Sequence, residues 1–84
     1  MTYEQIEEIV EDKFSCESLF MVRFKTRSPI KGLFIKTQDY QELSRKNLWR
    51  IVSESNIEEY KKTNDRTLAR IFSGMEFTRV EPST

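Results

Sequence analysis

The stretch Thr67-Leu-Ala-Arg-Ile-Phe-Ser-Gly-Met-Glu-Phe-Thr-Arg-Val80 carries the clearest strand signal in this chain, and the interpretation of the fold starts from it. Two runs of alternating apolar and polar residues flank Ser73-Gly74, and such runs on either side of a turn predict a β-hairpin. The turn geometry matters, because a slip of one residue moves every side chain of a strand to the other face.

Two turns are compatible with this stretch. In a two-residue loop, Arg70 and Arg79 would lie on the apolar face of the hairpin. In a type I turn from Ile71 to Gly74, Ile71 faces Met75 and the charged residues lie outside. We favour the second register because it buries hydrocarbon and pairs opposite charges.

Residues 2–11 have the pattern of an amphipathic helix. Thr2 and Gln5 have the spacing of a capping box. Apolar residues recur every three or four positions and predict a stripe that lies on the sheet, while the opposite face is acidic. The stripe contains Tyr3, Ile6, Ile9 and Val10, and the acidic face contains Glu4, Glu7, Glu8 and Glu11.

Three further strands are predicted before the hairpin. Residues 19–26 and 30–37 are rich in aromatic and β-branched side chains and form two strands separated by Arg27-Ser28-Pro29. Residues 48–52 form a third strand, whose apolar density predicts an interior position. Gly32 indicates a bulge, a sharp bend, or a point where another side chain packs across the backbone.

Short helices are predicted at residues 39–47 and around residues 55–64. Each has a capping-box spacing near its start, and each ends in basic residues followed by asparagine. The order of elements predicts an α+β fold with a mainly antiparallel five-stranded sheet. Such a sheet can close into a small SH3-like or Sm-like barrel, or stay open with the first helix across one face. The sequence pattern leaves both alternatives open.

The length of 84 residues predicts one small domain. Residues 1–17 form its acidic helix and a connector, residues 18–80 its sheet, and residues 81–84 a frayed tail. Cys16 is the single cysteine, so no intrachain disulfide can form, and a reducing compartment is expected. The first twenty residues carry glutamates where a signal peptide is basic and apolar, which predicts a cytoplasmic protein.

The residue types disfavour catalysis. The chain has no histidine, which removes the commonest general base near neutral pH and the commonest metal ligand. Cys16 follows acidic residues that raise the pKa of a thiol, so we expect it to be inert. Two glycines cannot build a phosphate-binding loop, and the acidic helix lacks the loop of an EF-hand. We expect no enzyme activity, cofactor or metal.

The charge is asymmetric although the net charge is zero. Residues 1–17 hold six acidic residues and one lysine, whereas Ser18 to Arg50 hold eight basic and two acidic residues. This basic region predicts, as one hypothesis, binding of single-stranded RNA or DNA, with Tyr40 or Trp49 as a stacking plane. The candidate contacts are Arg23, Lys25, Arg27, Lys31, Arg45, Lys46 and Arg50. The overall pI of about 6.3 argues against it.

The second and favoured hypothesis is a protein-interaction or self-associating module. In the chosen hairpin register Leu68 and Phe72 face outward and present an apolar surface to another chain. The acidic helix and the basic body would also suit head-to-tail or two-fold packing of copies. We therefore expect a protein partner or a homo-oligomer, with nucleic acid as the alternative partner and no membrane association.

Overall fold

The structure, a computed structural model, describes residues 1–11 and 18–83. The connector with Cys16 lies outside the described residues. The α+β prediction is confirmed. The elements are α1 (Tyr3–Val10), β1 (Leu19–Phe24), β2 (Ile30–Phe34), α2 (Tyr40–Arg45), β3 (Leu48–Ser53), α3 (Ile57–Thr63), β4 (Arg70–Ser73) and β5 (Phe77–Pro82). Short 3₁₀ turns lie at Glu54–Asn56, Arg66–Leu68 and Gly74–Glu76.

The five strands form an open antiparallel sheet in the order β4-β3-β2-β1-β5. β4 and β5 are the two edges, so the sheet is not closed into a barrel and the open alternative is the one observed. β3 lies between β4 and β2, which confirms its predicted interior position. β5 extends to Pro82, and the N–H of Ser83 donates to the carbonyl of Leu19 at 2.9 Å, so residues 81–83 are not a frayed tail.

The predicted hairpin at residues 67–80 is wrong. β4 pairs with β3, where Phe72 is opposite Trp49, and β5 pairs with β1, where Val80 is opposite Val22. The physical reason is the 3₁₀ turn Gly74–Glu76, which carries the chain from one edge of the sheet to the other. The hydroxyl of Ser73 accepts the N–H of Met75 at 3.3 Å and caps this turn.

Both faces of the sheet bury an apolar cluster. The predicted stripe of α1 packs on the first face through Ile6 and Val10, both fully buried, whereas Tyr3 remains partly exposed. The first cluster also contains Phe20, Val22, Phe24, Phe34, Tyr40, Trp49, Ile51, Phe77 and Val80. The second cluster contains Leu33, Ile35, Val52 and Ile57, and α3 covers it. Each fully buried side chain of this kind contributes roughly 1.5–3 kcal/mol.

Two predicted capping boxes are absent, although the predicted helix ends are present. The side chain of Asp39 makes no cap hydrogen bond at the start of α2, and α3 begins after Asn56 rather than at Ser55. Asn47 and Asn64 have φ values of 61° and 56° after α2 and α3. This left-handed conformation is the one in which asparagine ends a helix.

Gly32 allows β2 and β3 to approach closely. A Cβ atom at residue 32 would lie 2.7 Å from Cγ2 of Ile51 and 2.7 Å from the carbonyl oxygen of Val52. Of the three alternatives that the sequence left open for Gly32, packing of another side chain across the backbone is the one observed.

A hydrogen-bonded node fixes the turn that joins β4 to β5. The terminal ammonium of Met1 donates to the carbonyls of Gly74 and Phe77 at 3.1 and 3.0 Å. The side-chain amide of Asn47 donates to the carbonyl of Met1 and accepts the indole N–H of Trp49, both at 2.9 Å. The N–H of Gly74 donates to the carbonyl of Asn47 at 2.7 Å. The node therefore ties three distant chain segments together.

Candidate functional site

A groove lies between the end of β1 and the edge strand β4, and two phenylalanine rings form its floor. The alternation of β1 turns Phe24 toward the core, where its ring meets that of Phe77 at 5.3 Å in an edge-to-face contact. The half-buried ring of Phe72 on β4 lies 5.7 Å from Phe24. The N–H of Lys25 donates to the carbonyl of Glu76 at 2.9 Å and holds the end of β1 against the 3₁₀ turn.

Arg27 lies over this aromatic floor. The central carbon of its guanidinium is 5.1 Å from the ring centroid of Phe24 and 5.5 Å from that of Phe72, which are cation–π distances. A stacked guanidinium uses its planar face, and its N–H groups point outward from its edge. Within residues 1–11 and 18–83, no carboxylate lies within ion-pair distance of Arg27.

The groove has a volume of about 400 Å³ and opens to solvent. It is lined by Phe24, Thr26, Arg27, Ile71, Phe72, Ser73 and Glu76. Ile71 is 47% exposed, and Met75 in the adjoining turn is 67% exposed, which makes them the most exposed large apolar residues described. The hairpin predicted from the sequence pairs Ile71 with Met75 on its buried face, so it does not predict the exposure of either residue.

The outer edge of β4 borders this groove. Among residues 1–11 and 18–83, β4 pairs with β3 on one side and with no strand on the other. An edge strand presents a row of N–H and C=O groups that can pair with another chain. The groove and the free edge together form one surface, which we call the β4 surface.

Leu68 and Phe72, the residues predicted to form an outward-facing interaction surface, do not lie together on one outward face. Phe72 packs against the first core cluster instead of facing outward, because the hairpin register that placed it outside is wrong. Leu68 is half-buried in the 3₁₀ turn Arg66–Leu68. Of the two, Phe72 is part of the β4 surface.

Four of the seven predicted nucleic-acid contacts have a carboxylate partner. These pairs are Arg23–Glu81 at 3.5 Å, Lys31–Glu54 at 3.6 Å, Lys46–Glu42 at 3.6 Å and Arg50–Asp39 at 2.8 Å. Exposed ion pairs contribute little to stability, but they neutralise charge that a phosphate backbone would need. Among the residues that the structure describes, Lys25, Arg27 and Arg45 have no carboxylate partner.

The seven residues do not form one patch. Arg23 alternates with the buried Val22 and Phe24, so it lies on the face of the sheet opposite the first core cluster. Arg45 and Lys46 lie at the end of α2, which packs on the first cluster through Tyr40. Arg27 is the member of the set that lines the groove.

The predicted stacking planes are buried. Trp49 is 2% exposed, and Tyr40 is 8% exposed, with their rings 5.9 Å apart in the core. Neither ring is available to stack on a base, so this part of the nucleic-acid hypothesis is wrong. The hydroxyl of Tyr40 donates to Glu11 at 2.7 Å, and burial, followed by this carboxylate, raises the pKa of Tyr40.

The side chain of Arg50 is held in place by an ion pair within the protein. Its guanidinium donates to Asp39 at 2.8 Å, and the hydroxyl of Thr37 donates to the same carboxylate group. The Arg50 and Thr37 hydrogen bonds lower the pKa of Asp39 from 3.8 to about 2. Among the described residues, the buried Nε of Arg50 has no hydrogen-bond partner. The pair with Asp39 holds the start of α2 against β3.

The acidic face of α1 borders an open depression of about 450 Å³. Tyr3, Glu4, Glu7, Glu8 and Glu11 line it. Lys36 lies 3.6 Å from Glu11 and neutralises one end of this face. No group of three or more potential metal-ligating side chains occurs in the part of the chain that the structure describes.

Comparison with known proteins identifies no relative: no family model, no curated protein and no solved structure matches the chain. Among the helices of the described ranges, none combines the length and the apolar character needed to cross a bilayer.

Proposed function

We propose that this protein is a non-catalytic interaction module that binds another polypeptide at the β4 surface. The observation that carries the proposal is the free edge of β4 beside an aromatic groove, with Ile71 half-exposed between them. Nucleic-acid binding is the alternative, and titration with an oligothymidylate separates it from this proposal.

Strand addition is the binding mode that this surface suits. A partner segment in extended conformation can donate to and accept from the free backbone groups of β4, which supplies affinity without sequence preference. Its alternate side chains then enter the groove or cover Ile71, which supplies specificity. Burial of an exposed apolar side chain contributes roughly 1.5–3 kcal/mol, so burial of Ile71 alone would contribute substantially to the free energy of peptide binding.

The residue types support the non-catalytic part of the proposal. The chain lacks histidine, and its single cysteine follows acidic residues, so neither a neutral-pH base nor an activated thiolate is indicated. The same single cysteine suits a reducing compartment, and we propose a cytoplasmic location on that ground.

A peptide titration tests the proposal. The probes are three blocked hexapeptides in which valine alternates with glutamate, glutamine or lysine, added to isotopically labelled protein and followed by amide NMR shifts. We expect at least one peptide to bind and to shift residues 24–27 and 70–76 while the β5 edge remains unchanged. If none of the three peptides shifts the β4 surface at millimolar concentration, the proposal is wrong.

Two matched variants separate the β4 edge from a general effect of charge. Ile71→Glu places a carboxylate at the proposed edge, and Thr78→Glu places one at an exposed position on the opposite edge strand. We expect Ile71→Glu to abolish peptide binding and Thr78→Glu to retain it, with both variants folded by circular dichroism.

A further inference from the structure

We infer that the β4 surface takes an acidic, extended segment of a protein partner, with Arg27 as the receptor for one of its carboxylates. This inference rests on the proposed function and names the chemistry of the partner.

The cations of the sheet differ in whether they have a carboxylate partner. Strand residues elsewhere in the sheet have carboxylates at ion-pair distance: Arg23 and Arg79 share Glu81, Lys31 meets Glu54, and Arg50 meets Asp39. By contrast, three cations around the β4 surface have no carboxylate partner among the described residues. These are Lys25, Arg27 and Arg70.

Two of these cations, Arg27 and Arg70, lie on the side of β4 that carries Phe72. Side chains two residues apart on a strand share a face, so Arg70 lies on the same side of β4 as Phe72. Phe72 is one of the rings under Arg27. Lys25 is held beside the 3₁₀ turn by its backbone hydrogen bond to Glu76. Arg27 and Glu76 are the charged residues in the lining of the groove, and Arg70 on the Phe72 side of β4 adds a second positive charge beside it.

Two aromatic rings hold the Arg27 side chain in the groove. The central carbon of its guanidinium lies 5.1 and 5.5 Å from the ring centroids of Phe24 and Phe72, and the two rings restrict its orientation. Its N–H groups have no hydrogen-bond or carboxylate partner among the described residues, and a guanidinium can bind a carboxylate through two parallel hydrogen bonds. A held guanidinium loses less entropy when it binds than a free one.

The pattern of the partner follows from the pleat of an added strand. On the side of Arg70 and Phe72 the partner would present acidic residues to the cations, and on the other side it would present apolar residues to Ile71. An extended segment in which acidic and apolar residues alternate satisfies both faces at once.

The decisive experiment compares the affinities of the glutamate, glutamine and lysine hexapeptides defined above. We expect the glutamate peptide to bind at least tenfold tighter than the glutamine peptide and to weaken as salt increases. Arg27→Gln should reduce binding of the glutamate peptide about tenfold and that of the glutamine peptide much less. Lys62→Gln is the matched control, because Lys62 is exposed on α3. It should change neither affinity.

Each other outcome overturns the inference in a recognisable way. If the glutamine or lysine peptide binds as tightly as the glutamate peptide, the acidic partner is excluded while the interaction module stands. If a single-stranded oligothymidylate binds tighter and depends on Arg27, the ligand is phosphate. If light scattering shows a dimer that Ile71→Glu dissociates, a second copy occupies the surface. If no peptide binds, the proposed function fails as well.

Discussion

Substitution of Gly74 by alanine tests the hydrogen-bonded node that holds the turn between β4 and β5. A Cβ atom at residue 74 would lie 2.5 Å from Cδ1 of Ile6 and 2.7 Å from Cγ of Asn47, and closer still to the Oδ1 of Asn47. The Ile6 contact is the tip of a flexible side chain and can move. Asn47 cannot move freely, because its side chain is hydrogen-bonded to both Met1 and Trp49.

The expected cost of Gly74→Ala follows from these contacts. Overpacking in a dense core costs about 1–3 kcal/mol. Displacement of the Asn47 amide costs about 1 kcal/mol for each hydrogen bond that it weakens. We therefore expect the free energy of unfolding to fall by roughly 2–4 kcal/mol, which corresponds to a melting temperature lower by about 10–25 °C in a domain of this size.

Urea unfolding measures this loss, with the fluorescence of the single buried Trp49 and circular dichroism as independent probes. Met75→Ala is the control, because this neighbouring side chain is 67% exposed and its loss should change stability by less than about 0.5 kcal/mol. A double-mutant cycle with Asn47→Gly isolates the clash. Glycine accepts the φ of 61° at residue 47 and removes the obstructing amide.

In the Asn47→Gly background we expect Gly74→Ala to cost at least about 1 kcal/mol less than in the wild type. An equal cost in both backgrounds would refute the reasoning, because the obstruction would then not be Asn47. A cost below about 1 kcal/mol in the wild type would show that the turn relaxes without resistance.

Three further outcomes are expected. The lowered pKa of Asp39 stabilises the fold above about pH 4, and this contribution is lost as the pH falls toward about 2. Urea unfolding should therefore show that acid lowers the free energy of unfolding less in Asp39→Asn than in the wild type. An equal decrease in both proteins would contradict the pairing of Asp39 with Arg50. Tyr40→Phe removes the hydrogen bond to Glu11 and should lower the free energy of unfolding by about 1 kcal/mol. Because the pKa of Tyr40 is raised in the folded state, this contribution is present below about pH 10 and is lost above it. An unchanged free energy of unfolding at neutral pH, measured by urea titration, would be evidence against that bond. Titration with a short oligothymidylate should show weak or no binding, with a logarithmic salt slope no steeper than about −2, since Lys25, Arg27 and Arg70 are the cations near β4 that have no carboxylate partner among the described residues. A slope near −5 would restore the hypothesis that all seven predicted residues contact phosphate.

Several elements could be predicted because their signals are local. The capping box of Thr2 and Gln5 and the spacing of Ile6 and Val10 predict α1 and its buried stripe, and both are present. The alternation in β1 predicts that Phe20, Val22 and Phe24 face the core, as they do. Periodicity in a helix or strand reports which face is buried, whatever that face packs against.

The predicted hairpin is wrong because this stretch carries a second local signal, which favours a helical turn. Ser73 and Glu76 have the spacing of a capping box, which is typical of the start of a helical turn, and Ser73 does cap the 3₁₀ turn that follows it. The same serine and glycine also suit a β-turn. The sequence therefore carries a signal for the turn Gly74–Glu76 beside the alternating residues that predict a hairpin.

By itself, the sequence determined the α+β class, the buried faces of the strands and the lack of any histidine for neutral-pH chemistry. The tertiary structure alone decided that β4 pairs with β3, that β5 pairs with β1, and that Phe24, Arg27 and Phe72 meet in one groove. The physical reason is that the alternation of a strand is the same for every possible partner. Which strands meet depends on how the turn redirects the chain and on packing between residues that are distant in sequence, as between Arg27 and Phe72.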